Sequence, residues 1–161
     1  MTQRLVSIGD DYYVEDEAGQ QAFIVDGKAL RVRNTLQMRD LATGDEYSIQ
    51  EKIARVTDTM VIEKNGERAA TVKRALVTPI RDRFIILMPE GPPIQSVGNI
   101  LNHEYRMIRN GNRIAGVSKK WFRLRDTYGV EVSPEMDAGL AIACTVALDV
   151  LASQNRNRNR R

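Results

Sequence analysis

The stretch of sequence that decides the fold is HEYRMIRNGNRIAGVSKKWFRLRDTYGVEV, at residues 103–132. Within it an alternating run, Glu104–Arg109, is followed by the dipeptide Asn110–Gly111 and by a second run, Arg113–Ser118. Asn-Gly between two alternating runs is the strongest short-range signal for a β-hairpin, because both residues tolerate the positive φ that a type I′ turn requires. We therefore predict a hairpin here and assign Gly111 a structural role.

Similar patterns recur along most of the chain. Short segments rich in Val, Ile, Tyr and Phe alternate with turns that contain glycine, which is typical of an antiparallel barrel or sandwich. A further strand starts at Tyr128. The other predicted strands are Gln21–Val25, Thr35–Arg39, Glu46–Gln50, Thr59–Glu63, Arg68–Val72 and Arg83–Met88.

Two of these hairpin units resemble each other. Residues 60–84 parallel residues 105–128, and Gly66 and Ala70 precede their counterparts, Gly111 and Ala115, by 45 residues each. Two partial copies are too few for a solenoid, so the sequence predicts a repeated supersecondary unit within one domain.

The C-terminal segment differs in kind from the rest of the chain. Ser133–Pro134–Glu135 has the composition of a helix start, and residues 138–148 carry no charge. We predict one helix over residues 135–152, enclosed by the sheet, because a helix that is apolar on all faces must be buried on all faces. The uncharged run is shorter than the roughly 20 residues of a membrane span, and a membrane hairpin or anchor is the alternative.

Length and charge indicate one domain with a basic tail. The chain has 161 residues and a formal net charge of +3, and its last seven residues, NRNRNRR, contain four arginines. We predict a single domain over residues 1–153 and a disordered tail over residues 154–161, because the tail has no apolar residue to bury. The tail either attracts nucleic acid weakly or only aids solubility.

The sequence predicts a cytoplasmic protein. The single cysteine, Cys144, cannot form an internal disulfide, which fits a reducing compartment. The N-terminal MTQRLVSIGDDYY has no sustained apolar run and is not a signal peptide.

The candidate chemical groups do not form a catalytic constellation. His103 is the only histidine, and Cys144 lies in the apolar helical pattern, where a thiol is normally an inert small hydrophobe. One His, one Cys and scattered carboxylates do not make a metal-ligand set, and no Gly-rich phosphate loop occurs. We therefore expect no catalytic residue, no metal and no cofactor, and a protein that is not an enzyme.

The best candidate surface for a ligand is cationic. In a continuous strand, Lys119, Trp121, Arg123 and Arg125 would share one face. A tryptophan among three cations suits a phosphate-bearing headgroup or a nucleic-acid strand. In the alternative interpretation, Trp121 turns inward at a bend and the cations are ordinary solvated residues.

These residues resemble the LURP-one-related family, whose relatives include the tubby C-terminal and phospholipid scramblase domains. The resemblance lies in the run at residues 103–132, above all VSKKW and DTYGVE, and in VDGKALRVRNTLQMRDLATG at residues 25–44. It implies a twelve-stranded closed antiparallel β-barrel that encloses one hydrophobic C-terminal helix. Within the DTYGVE block, Asp126 and Gly129 are assigned structural roles. The palmitoylation and calcium-binding segments of scramblases have no counterpart here.

The resemblance implies a binding or scaffold domain. Tubby domains bind phosphoinositides, so the expected partner is an anionic phospholipid or an unidentified protein. The alternatives are a nucleic-acid-associated protein that uses the tail and a scramblase-like protein linked to membranes. A last expectation concerns Asp149, which we assign a structural role: an acid near the end of a buried helix requires a partner, and we predict an arginine or lysine of the barrel rim.

Overall fold

The computed structural model describes residues 2–8, 11–26, 35–52, 58–75, 83–119 and 127–159. These residues form an antiparallel sheet and one C-terminal helix, so the predicted mainly β class is confirmed. The elements are β1 (Thr2–Ile8), β2 (Asp11–Glu15), β3 (Gln21–Asp26), β4 (Thr35–Asp40), β5 (Glu46–Lys52), β6 (Thr59–Lys64), β7 (Glu67–Arg74), β8 (Phe84–Leu87), β9 (Ile94–Asn99), β10 (Glu104–Arg109), β11 (Asn112–Ser118), β12 (Thr127–Val132) and α1 (Ala138–Asn159).

The strands pair with their neighbours in chain order. Each pairing is antiparallel, and β1 pairs with β12 as well as with β2. In the β1–β12 ladder Arg4 lies opposite Gly129, and in the β11–β12 ladder Ser118 lies opposite the same glycine. Gly129 thus occupies a central strand between two partners.

The core lies between the sheet and the helix. Alternate residues of the strands are buried, as in β3, where Phe23 and Val25 face inward and Ile24 is exposed. Residues 139–148 of α1 are all buried. A helix with no polar face is stable in water only when other elements cover it on every side, and the strands cover it here.

The two hairpins that resemble each other in sequence have the same irregularity. Asn65 and Asn110 have φ of 50° and 51°, and the glycines that follow them also have positive φ. In both hairpins the register shifts by one residue beside the turn, between Ile62 and Glu63 and between Met107 and Ile108. The positive φ angles confirm both predicted turns. The β-bulges bend the strand and increase its twist, so both copies curve the sheet in the same way.

The start of the helix was predicted wrongly. Helix α1 begins at Ala138, and the carboxylate of Asp137 accepts a hydrogen bond of 3.0 Å from the backbone N–H of Gly139, as an N-cap does. Ser133 instead belongs to a separate turn, in which its carbonyl accepts from the N–H of Met136 at 3.1 Å. Both residues suit an N-cap by type, and the contacts of Asp137 decide between them.

The end of the helix also differs from the prediction. Helix α1 continues to Asn159, through six of the eight residues predicted to be disordered. A helix that is already formed adds one backbone hydrogen bond for each residue that it fixes, so extension is far easier than nucleation. The amide of Gln154 also donates to Glu51 at 3.2 Å, which ties the extension to β5.

Among the described residues, no helix is long and apolar enough to span a membrane.

Candidate functional site

The last buried turns of α1 meet the sheet at a polar cluster around Asp149. Nε2 of His103, in the turn before β10, lies 3.6 Å from Oδ1 of Asp149. The imidazole ring stacks on Tyr128 of β12 with a centroid distance of 4.1 Å and an interplanar angle of 11°. His103 has a φ of 52° and donates its backbone N–H to Ile100 at 3.0 Å. The turn therefore holds the only histidine of the chain against the helix.

Burial makes the Asp149 carboxylate easier to protonate. It raises the pKa of Asp149 to about 6, while the positive charge of Lys119 acts in the opposite direction. Among the described residues, the side chain that contacts Asp149 is that of His103, where an arginine or lysine of the barrel rim was predicted, and Lys119 acts on the carboxylate through its positive charge. The contact could not be predicted because 46 residues separate the pair in the chain.

Two other groups near Asp149 are held in their neutral forms. Tyr105 is buried and hydrogen-bonded to Thr145, and burial together with the charge of Asp149 raises the pKa of its phenol. Burial also raises the pKa of the Cys144 thiol to about 12. The thiol is therefore protonated at neutral pH, which is unsuited to a nucleophile.

Lys119 is the described member of the predicted cationic surface. It is exposed at the end of β11, and its backbone N–H donates to the Glu104 carboxylate at 3.0 Å. The same carboxylate accepts from the Ser118 hydroxyl at 2.8 and 2.9 Å. This fork fixes the exit of β11. The other residues predicted to act here lie outside the described residues, namely Trp121, Arg123, Arg125 and Asp126.

A groove of about 340 Å³ lies on the outer face of β9, β10 and β11, beside this fork. Register places Arg106, Gly116 and Glu131 in one row across three strands. The guanidinium of Arg113 lies beside Gly116, where a Cβ would collide with it, and its Nη2 is 3.1 Å from Glu131 Oε2. The residues that line the groove include Val97, Glu104, Arg106, Arg113, Gly116 and Ser118.

Sequence reasoning missed this groove. Gly116 interrupts the β-branched and apolar run of β11, and an isolated glycine within a strand often marks a close approach of another group. That signal was available. The identity of the approaching group was not, because it depends on the bulge at Met107–Ile108, which alters the register between Arg113 and β10.

A second polar cluster lies at the opposite end of α1. Nζ of Lys64 contacts Asp137 Oδ2 at 2.8 Å and Asp45 Oδ2 at 3.3 Å, and the Tyr47 hydroxyl donates to Asp137 at 3.2 Å. Burial and the charge of Asp137 raise the pKa of Tyr47 to about 12, and the hydrogen bond to Asp137 raises that of Lys64. These contacts fasten the start of the helix to β5 and β6.

In the described part of the chain, His, Cys, Asp and Glu side chains do not gather in groups of three or more that could hold a metal ion.

Comparisons with known proteins agree on family and fold. The model of the LURP-one-related family matches residues 1–149. The uncharacterized protein YxjI of Bacillus subtilis (strain 168) is 26% identical over 151 residues, which cover 94% of this chain and 91% of that protein. An X-ray structure of a protein from Arabidopsis thaliana superposes with a TM-score of 0.64 at 15% identity, over 92% of this chain and 90% of that one. At that identity the likeness concerns the fold alone.

Proposed function

Because the chain belongs to the LURP-one-related family, we propose that it is a non-enzymatic cytoplasmic binding domain for phosphate-bearing anionic ligands. Anionic phospholipid headgroups are the ligand class that we favour. A closed twelve-stranded barrel around α1 is the corresponding scaffold, which would present a rigid outer surface. Sites on regular, well-packed elements hold their side chains more closely than sites on loops do.

The filled interior supports an outer binding surface. Large side chains from the strands, such as Tyr47, Phe84 and Met107, are fully or almost fully buried in the same core cluster as the residues of the helix. Interiors of this kind are close-packed and contain few voids larger than a water molecule. A ligand would then bind at the rim or on the outer face of the sheet, where the charged residues lie.

The observation that carries the proposal is the fixed position of Lys119. It is an exposed cation, and Glu104 anchors its backbone at the start of the segment that contains Trp121, Arg123 and Arg125. Residues 119–125 contain four cations, Lys119, Lys120, Arg123 and Arg125, and such a run provides the positive potential that attracts a phosphate group. The protonated thiol of Cys144 supports a binding role over covalent catalysis.

Sedimentation with lipid vesicles tests the proposal. Vesicles of phosphatidylcholine alone are compared with vesicles that also contain phosphatidylserine or a phosphatidylinositol phosphate. The test variant carries Lys119→Glu, Arg123→Glu and Arg125→Glu. The control carries Lys52→Glu, Arg68→Glu and Arg83→Glu, which change the net charge equally at exposed positions elsewhere.

We expect the parent protein and the control to sediment with anionic vesicles and the test variant to remain in the supernatant. Binding of the parent should weaken steeply as salt rises, because exposed ionic contacts are screened. Equal binding by the two triple variants would contradict the proposal.

The basic end of α1 supports a second candidate, a nucleic-acid-associated protein. Arg156 lies on the exposed part of the helix, so at least one cation of the tail is presented by an ordered element. Removal of residues 154–161 distinguishes this candidate, since it would abolish a gel shift of RNA or DNA and leave vesicle binding unchanged.

A further inference from the structure

We infer that the groove on the outer face of β9, β10 and β11 is a binding site for a phosphate group, with Arg106 and Arg113 as the two side chains that contact it. The inference rests on the proposed recognition of phosphate-bearing ligands and names the place where the phosphate sits. The chemistry is that of a phosphate monoester, whether it belongs to a lipid headgroup or to a soluble compound.

The floor of the groove is built from backbone. Gly116 is buried in β11 and has no side chain on the outer face, so another group can lie close to its backbone there. Absence of a side chain at such a position commonly allows another group to approach the backbone closely. In this structure the approaching group is the guanidinium of Arg113.

Two arginines border this floor. Arg106 is exposed and lies directly opposite Gly116 in the β10–β11 ladder. Arg113 reaches the same glycine from its own strand. Guanidinium groups bind phosphate through paired N–H donors, and such charge-assisted hydrogen bonds are about twice as strong as neutral ones.

The ion pair of Arg113 is weak enough for a ligand to displace. The side chains of Arg113 and Glu131 are 48% and 50% exposed. Exposed pairs of this kind contribute little to stability, so a phosphate can compete for the guanidinium. The Glu131 carboxylate would then pair with the Arg113 guanidinium only while no ligand is bound in the groove.

The second carboxylate of the groove is already engaged. Both oxygens of Glu104 accept hydrogen bonds from the Ser118 hydroxyl, and one also accepts from the N–H of Lys119. Glu104 therefore organises the wall of the groove and connects it to Lys119, the anchored cation of the proposed surface.

The size of the groove fits a small ligand. A volume of about 340 Å³ is at the lower end of the range for ligand pockets, which is roughly 300–1,000 Å³. That volume suits a phosphate and the sugar or alcohol attached to it.

A second depression, on β3, β4 and β5, provides an internal control. It has about 460 Å³ and is lined by Ile24, Asp26, Leu41, Arg39 and Glu46 among others. Its one lining arginine is paired with Glu46 at 2.8 Å, and its exposed residues include two large apolar side chains, Ile24 and Leu41. This depression is large enough for a ligand, but it lacks the two converging arginines of the groove. A substitution there therefore tests for nonspecific effects on binding.

The experiment combines titration calorimetry with inositol 1,4,5-trisphosphate and sedimentation with vesicles that contain phosphatidylinositol 4,5-bisphosphate. The variants are Arg106→Gln, Gly116→Ala and Glu131→Gln, and Arg39→Gln is the matched control. Thermal unfolding of each variant verifies that it is folded.

We expect Arg106→Gln to weaken binding about tenfold or more, because it removes one charge-assisted contact. Gly116→Ala should weaken binding to a similar extent, because the added Cβ collides with the guanidinium of Arg113. This variant has the same net charge as the parent, so its effect distinguishes a specific site from nonspecific electrostatic attraction of the ligand. Glu131→Gln should strengthen binding severalfold by releasing Arg113, and Arg39→Gln should leave it within about twofold of the parent.

The outcomes distinguish the inference from the proposed function. Parent-like binding by Arg106→Gln and Glu131→Gln would overturn the groove as the site, even if Gly116→Ala fails to fold. If the triple glutamate variant alone loses vesicle binding, the proposed function stands and the groove assignment fails. A parent that binds neither probe would overturn both. Tight calorimetric binding without vesicle binding would identify a soluble phosphate ester as the source.

Discussion

Nε2 of His103 lies 3.6 Å from Oδ1 of Asp149, so a turn of the sheet contacts the buried helix through two titratable groups. Among the described residues, the titratable groups that face Asp149 from the surrounding elements are Tyr105 on β10, Lys119 after β11 and His103 itself. Nε2 of His103 is too far from the carboxylate for a strong hydrogen bond. The carboxylate therefore costs free energy when it is ionised.

The first prediction is that Asp149→Asn stabilises the protein at neutral pH. Burial raises the pKa of Asp149 from 3.8 in the unfolded chain to about 6, so the folded state binds more protons between these values. The contribution of Asp149 to the free energy of unfolding of the parent therefore falls as pH rises from about 4 to about 6, and it is constant at higher pH. The asparagine lacks this penalty, so we expect it to be on the order of 1–3 kcal/mol more stable than the parent at pH 7.5.

Urea unfolding at pH 4 and pH 7.5 measures this effect. The two proteins should be nearly equal at pH 4, where Asp149 is largely protonated. Glu135→Gln, in the exposed turn before α1, is the matched control and should show no such divergence. An asparagine variant that is less stable than the parent at pH 7.5 would show that the contact with His103 outweighs the cost of burial.

The second prediction is that Gly139→Ala destabilises the protein. In an ordinary helix this change stabilises by about 0.5–1 kcal/mol, because glycine loses more conformational freedom on folding. Here a Cβ would collide with the hydroxyl and ring of Tyr47, which is fully buried. Overpacking of this kind costs about 1–3 kcal/mol, so the sign should reverse. Chemical denaturation gives the sign directly, and a stabilised variant would mean that Tyr47 can move aside.

The third prediction separates the two roles of Asp137. Its Oδ1 caps α1 through Gly139, while its Oδ2 accepts from Lys64 and Tyr47. Asp137→Ala removes both roles and should cost about 1–3 kcal/mol. Asp137→Asn keeps the cap and should cost less than half as much.

Salt provides the control for this prediction. Lys64 and Asp137 are 34% and 40% exposed, so their ion pair is screened by added salt, whereas the cap is much less sensitive. The difference between the parent and Asp137→Asn should shrink in 1 M sodium chloride. A difference that persists there would indicate that the hydrogen bond from Tyr47 dominates.

The features of the fold that could be predicted from the sequence are those that short stretches of residues determine by themselves. The Asn110–Gly111 turn follows from the backbone conformation that two adjacent residues favour, and the mainly β class follows from alternation within single strands. The start of α1 could not be predicted in this way. Asp137 is the N-cap because it also contacts Lys64 and Tyr47, which are 73 and 90 residues away along the chain.

The same distinction applies to the candidate site. A run of cations near Lys119 is visible in the sequence, but the groove beside it requires the register of three strands. Arg106, Gly116 and Glu131 become neighbours only when β10, β11 and β12 are paired. The pattern of residue types within one strand indicates which side chains face the core, but the residues that lie opposite each other depend also on the turns and bulges.

The last prediction tests whether the helix is enclosed. Ala143 is fully buried in the middle of the buried stretch of α1, residues 139–148, and its neighbours Ile142 and Cys144 are equally buried. Ala143→Arg would place a charge among apolar side chains, and an unpaired buried charge costs several kcal/mol even after the protein relaxes. Because single domains are stable by only about 5–15 kcal/mol, we expect this variant to lose cooperative unfolding. Ser153→Arg is the matched control, since Ser153 is exposed on the same helix, and it should unfold as the parent does. Calorimetry of the two variants decides the matter: an Ala143→Arg protein with a cooperative transition near that of the parent would mean that the helix has a face open to water.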